Sequence, residues 1–219
     1  MRRFFLTAAM GFASLAHADL LTMIPGTKTL EGVNVSKGAT ADISGQPLAL
    51  TTAGAGLRTK KVMFDVKVYV TELLVADKTS FDLARTSAST ALANLGEQKA
   101  VAIRLTFLRD VDAETVSSSF QEALDANQID GKDSEINEFM KIVNSSGYVP
   151  QGGSLTLLIT KKDDSTETLA YENLAGGNSA IKVHAFGAGF TKKVLSIWLG
   201  VPADLGLEKL QSDLLSGVN

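Results

Sequence analysis

Val62, Phe64, Val66, Val68 and Val70 alternate with Met63, Asp65, Lys67, Tyr69 and Thr71. Apolar and polar residues exchanging at period two, with branched and aromatic side chains, describe a strand with one face in a core. Val101, Ile103, Leu105 and Phe107 repeat the pattern, as do Leu155, Leu157 and Ile159. Leu48 to Thr52, Thr166 to Tyr171 and Ala180 to Val183 read as further strands, with a hairpin tip at Lys161 to Asp164 and a turn at Pro150 to Gly153. Between these runs the period lengthens. Ser87 to Leu95 reads as a short Ala-rich helix. Asp110, Asp112 and Glu114 open another, which carries Val116, Phe120, Ala123 and Leu124 on one face. Ile136, Phe139, Met140 and Val143 stripe a helix from Ser134 to Val143, with Ser134 as its cap. Phe186 to Leu199 and Leu207 to Leu215 complete the helices, and Gly217 marks a stop. Strands, two helices, strands and two helices predict an α+β fold, with helices layered on a largely antiparallel sheet.

The amino terminus is of another kind. Arg2 and Arg3 precede an apolar stretch from Phe4 to Leu15, and Ala16-His17-Ala18 follows. This is the secretory pattern, and the run is too short to span a bilayer. Residues 1–18 are expected to be a signal peptide cleaved after Ala18, giving a periplasmic protein. Arg2-Arg3-Phe4-Phe5-Leu6 also fits a twin-arginine signal, which leaves the export route open. Removing eighteen of the 219 residues leaves 201, and losing two arginines moves the net charge from −3 to −5. An acidic chain without a basic run is not a nucleic-acid binder, and no second apolar run is long enough for a membrane span. Asp19 to Leu48, rich in Gly, Thr, Ser and Val, reads as short strands or an extended arm. The domains are therefore 1–18 signal, 19–47 arm or short strands, and 48–219 main domain.

Composition restricts the chemistry. There are no cysteines, so thiolate nucleophiles, thiolate zinc sites and disulfides are excluded. The mature chain keeps one histidine, His184, which reads as structural or exposed rather than catalytic. Gly54-Ala55-Gly56 lacks the third glycine of a dinucleotide fingerprint and reads as a tight turn. Asp163-Asp164 is solvated charge in a turn. No metal or cofactor site is expected. Arg58 follows the glycines and enters the most apolar strand region. It either grips a ligand's anionic oxygen through paired N–H donors or makes an ordinary salt bridge.

Two segments bear on that choice. Gly54-Ala55-Gly56-Leu57-Arg58-Thr59-Lys60 with Phe64-Asp65-Val66-Lys67-Val68-Tyr69-Val70 resembles the signature of the chalcone isomerase-like superfamily. Phe190-Thr191 through Leu195-Ser196-Ile197-Trp198-Leu199-Gly200 resembles a second motif of that family. Leu105 to Val111 and the helix after it are similar to its bacterial exported branch. The resemblance runs from about Leu48 to Gly217. It implies an open-faced β-sandwich, with a long sheet covered by helices on one side and a ligand cleft between them. The family's plant enzymes close 2′-hydroxychalcones to flavanones, and other plant members bind fatty acids. Arg58 matches the arginine that holds the ligand's anionic oxygen. Phe64 falls where the isomerases carry a threonine and the fatty-acid binders a tyrosine. Asp112 falls near the isomerases' tyrosine, Ser119 near their asparagine, and Thr191 near a pocket threonine. An arginine kept among lost polar residues implies binding without catalysis. The expected ligand is a fatty acid or similar small apolar acid, with Arg58 at its head and Phe64, Val68, Phe120, Phe190 and Thr191 as the other site residues. Two alternatives stand: an isomerase or intramolecular lyase on a phenolic or enone substrate, and an envelope interaction module whose cleft is filled and whose Arg58 is tied to an acid.

Overall fold

A computed structural model describes residues 19–43, 46–61, 63–162 and 166–218. The expected signal peptide, and Val62, Asp163 and Asp164, lie outside the described residues. The strands are β1 (Thr22–Leu30), β2 (Val33–Ile43), β3 (Gln46–Lys61), β4 (Asp65–Val75), β5 (Ala100–Phe107), β6 (Ser154–Lys161), β7 (Glu167–Ala175) and β8 (Asn178–Phe186). They form one sheet in sequence order, with every neighbouring pair antiparallel. The helices are α1 (Lys78–Ala84), α2 (Ala88–Leu95), α3 (Ala113–Ala126), α4 (Ser134–Asn144), α5 (Phe190–Leu199) and α6 (Leu205–Ser216). The open antiparallel sheet with its layer of helices is the expected α+β architecture.

The main core lies between sheet and helices. Leu73, Val75, Ile103, Leu105, Leu157 and Leu169 supply the sheet side, and Phe81, Leu95, Leu124, Phe139, Trp198 and Leu210 the helix side. Aromatic rings link the helices. Trp198 meets Phe120 edge-on at 5.3 Å, Phe120 lies parallel to Phe139 at 6.2 Å, and Phe139 meets Phe190 at 6.1 Å. A smaller cluster on the other face joins Ala39, Ala41 and Leu50 to Leu74, Ala102 and Leu158. Small residues let the first strands curl over that face. The Ser36 N–H donates to Glu72 on β4 at 2.7 Å, and the Leu20 N–H to Glu172 on β7 at 2.9 Å. Residues 22–43 are thus two full strands of the sheet rather than an arm. The β1–β2 register breaks on both sides of Pro25.

Several boundaries differ from the sequence reading. Gly54-Ala55-Gly56 lies inside β3, not in a turn. A Cβ at Gly54 would run into the Leu214 carbonyl, and one at Gly56 would stand 2.6 Å from the Asp213 Cβ. The glycines make room for α6 against the strand, a close approach that needs no positive φ. The strand read from Val62 begins at Asp65, because the β3–β4 ladder ends at Lys61↔Asp65 and the chain turns there. Helix α5 starts at Phe190, since Phe186 still pairs with Glu167 and Gly189 (φ 92°) separates strand from helix. Asp133 rather than Ser134 caps α4, its carboxylate accepting from Glu135 N and Ile136 N. Helix α1 has one fully buried residue, Phe81, and so lacks a readable stripe.

Candidate functional site

An irregularity in the β3–β4 ladder builds the site. Arg58 pairs with Tyr69 and Thr59 with Lys67, leaving Val68 as an extra residue on β4. A bulge of this kind shifts the phase of the strand. Before it, Val66 and Val68 face the cleft beneath α3. After it, Tyr69, Leu73 and Val75 point toward the helix layer. Val68 and Tyr69, neighbours in sequence, therefore share a face. Together with Phe107 they floor a cleft of about 540 Å³, roofed by Val116, Ser119 and Phe120 of α3. Volumes of roughly 300–1,000 Å³ with mostly apolar walls are usual for small-molecule sites.

Arg58 closes the inner end, its side chain only 3 % exposed. Its Nη1 donates to Asp204 Oδ1 at 2.7 Å and also to the Thr59 carbonyl. Its Nη2 donates to Asp204 Oδ2 at 2.6 Å. Asp204 also caps α6 by accepting from Leu207 N at 2.8 Å. Burial alone would raise the Asp204 carboxyl. The Arg58 hydrogen bonds, the Leu207 N–H and the Arg58 charge outweigh it and hold the group below the usual carboxylate range. Tyr69 lies beside this pair. Its phenolic oxygen accepts from Trp198 Nε1 at 3.4 Å. Burial pushes its pKa up, against the lowering pull of Arg58 and of the Trp198 bond. At neutral pH Tyr69 is therefore a neutral O–H, a donor and not a base. At the mouth Lys60 pairs with Glu122 at 2.9 Å, and Arg109 lies at the rim. Asp112 caps α3 there through Thr115 N at 2.6 Å, and that N–H lowers its pKa.

The structure brings together three of the expected site residues, Arg58, Val68 and Phe120, with Asp112 and Ser119 on the same cleft. Phe64 stands apart. It is 72 % exposed between β3 and β4, over a shallow depression shared with Met63, Val66 and Arg109. The residue beside Arg58 is Tyr69, so the hydroxyl read as lost at Phe64 is present five residues on. Phe190 is fully buried among Phe139 and Phe186. Thr191 binds Glu167, donating from N at 2.5 Å and Oγ1 at 2.6 Å, so that the buried Glu167 carboxylate satisfies the start of α5. Neither residue lines the cleft. His184 is exposed on β8, and no group of three or more His, Cys, Asp or Glu that could hold a metal occurs among the described residues. Sequence reasoning missed Tyr69 and Asp204. Tyr69 sat on the wrong side of an unbroken alternation, and only the cap position before α6 pointed to Asp204.

Comparison with known proteins agrees with this architecture. A family model described as chalcone isomerase-like matches residues 27–216. No curated protein matches the sequence. Among solved structures, a fatty-acid binding protein of Arabidopsis thaliana superimposes with a TM-score of 0.51 at 17 % identity, over 76 % of this chain and 86 % of that one. At that identity the likeness is one of fold. No described helix is long and apolar enough to cross a membrane.

Proposed function

The chain belongs to the chalcone isomerase-like family, and from that premise we propose that it binds, without chemical turnover, a fatty acid or similar small apolar molecule whose oxygen-bearing head meets Tyr69 and Arg58. The observation that carries this reading is the bulge at Val68, which sets apolar walls and a neutral O–H donor in one open cleft. A structural relative that is a fatty-acid binding protein supports the ligand class. The interaction-module alternative has one point in its favour, since Arg58 is tied to Asp204, but it expected a filled cleft and the cleft is open. The isomerase alternative is tested by following a hydroxychalcone by absorbance, with no change expected.

Binding to the folded form raises stability by mass action, about 2.7 kcal/mol at a hundredfold excess over Kd. Delipidated protein should melt higher with a saturated fatty acid or with the corresponding alcohol or methyl ester, and the gain should vary with chain length. Val68→Trp, which fills the cleft, should abolish it. A melting point unmoved by every chain length would overturn the reading. Export is part of the proposal and rests on Arg2, Arg3, the apolar run and Ala16-His17-Ala18. Amino-terminal sequencing of protein from the envelope fraction of its own cells should begin at Asp19. A start at Met1 would refute export.

A further inference from the structure

The inner end of the cleft has an arginine but no free positive charge. A guanidinium offers five N–H donors in a fixed fork. Asp204 takes two of Arg58's and the Thr59 carbonyl a third. The bidentate face that a ligand carboxylate would need already holds an internal carboxylate. Asp204 is also fixed in place. It caps α6 through Leu207 N, and at Gly206 the backbone lies so close to β3 that a Cβ would strike the Thr59 carbonyl. Freeing Arg58 would mean undoing the first turn of α6. Tyr69 has the complementary property. Its oxygen accepts the Trp198 Nε1–H, which leaves its own proton to give.

We infer that Asp204 sets the charge of the ligand's head: the cleft takes an uncharged oxygen acceptor (a carbonyl, a hydroxyl or a protonated acid) on the Tyr69 O–H, and turns away a carboxylate. The inference rests on the lipid-binding reading and narrows it. A second carboxylate at this corner would share one arginine with Asp204, and like charges beside one another select against the ionised form.

Titration calorimetry on the delipidated full chain at neutral pH tests it, with dodecanoate, dodecanol and methyl dodecanoate as probes. Wild type should bind the two neutral probes about ten-fold more tightly than dodecanoate, the scale of one unpaired or repelled polar group. Asp204→Asn keeps a helix-capping oxygen and removes the negative charge. It should strengthen dodecanoate binding about ten-fold and leave dodecanol within about three-fold. Tyr69→Phe should weaken both neutral probes about ten-fold. Dodecanoate binding wild type as tightly as the neutral probes, or weakening in Asp204→Asn, overturns the inference and leaves lipid binding standing. If no probe binds wild type or either variant, the lipid-binding reading falls and the inference with it. Should Asp204→Asn fail to fold, the wild-type preference and Tyr69→Phe decide alone.

Discussion

The Arg58–Asp204 pair is a structural element as well as a filter. Arg58 is 2 % exposed, so removing its partner leaves a buried charge without compensation. Breaking a buried pair from one side costs about 3–5 kcal/mol, and the one-third exposure of Asp204 reduces that. Asp204→Ala should lose about 2–3 kcal/mol in urea unfolding, the lost α6 cap included. The pair also gives stability an acid limb. The folded-state pKa of Asp204 is depressed, so its contribution is complete above the unfolded carboxylate value of about 3.9 and is lost as pH falls through the lower folded value. Urea unfolding between about pH 5 and pH 2 should therefore fall less steeply for Asp204→Asn than for wild type. Arg58 was legible in the sequence, because an arginine opening an apolar strand has few roles. Tyr69 was not, because the bulge at Val68 depends on how two strands align, and one strand read alone does not record that.

At the scale of elements, the signals that read true were local ones. Asp112 before α3 and Gly217 after α6 act through their own backbone, and the structure places both as read. Signals that depend on another element failed. The glycines at 54 and 56 looked like a turn because their cause, the back of α6, lies about 160 residues further along the chain. Thr191 looked like a pocket residue because its partner, Glu167, comes from β7. Gly54→Ala should test the β3–α6 contact. The clash is with backbone, which cannot rotate aside, so a loss of about 3 kcal/mol in urea unfolding is expected, at the upper end for overpacking. The same variant should loosen the Arg58 corner, because Asp204, the cap of α6, is the partner of Arg58.

Across the whole molecule, fold class was readable because period-two and helical stretches alternate in blocks, and the block order permits few layered arrangements. The curl of β1 and β2 over the second face was not readable. It is held by Ser36 on Glu72 and Leu20 on Glu172, contacts between segments far apart in sequence. An open sheet also has two ends. At one of them, Pro25 lacks an N–H and the register of β1 breaks around it. Such an edge offers an incoming chain no regular ladder, a common guard against association. At the other end β8 keeps an unbroken register with β7, and Val183 is 67 % exposed. The two edges of the sheet thus differ, with a broken register at β1 and an unbroken one at β8. Pro25→Thr should remove the difference. Light scattering at rising concentration should find wild type going no further than pairs joined at β8, and the variant forming longer chains with strands added at both ends.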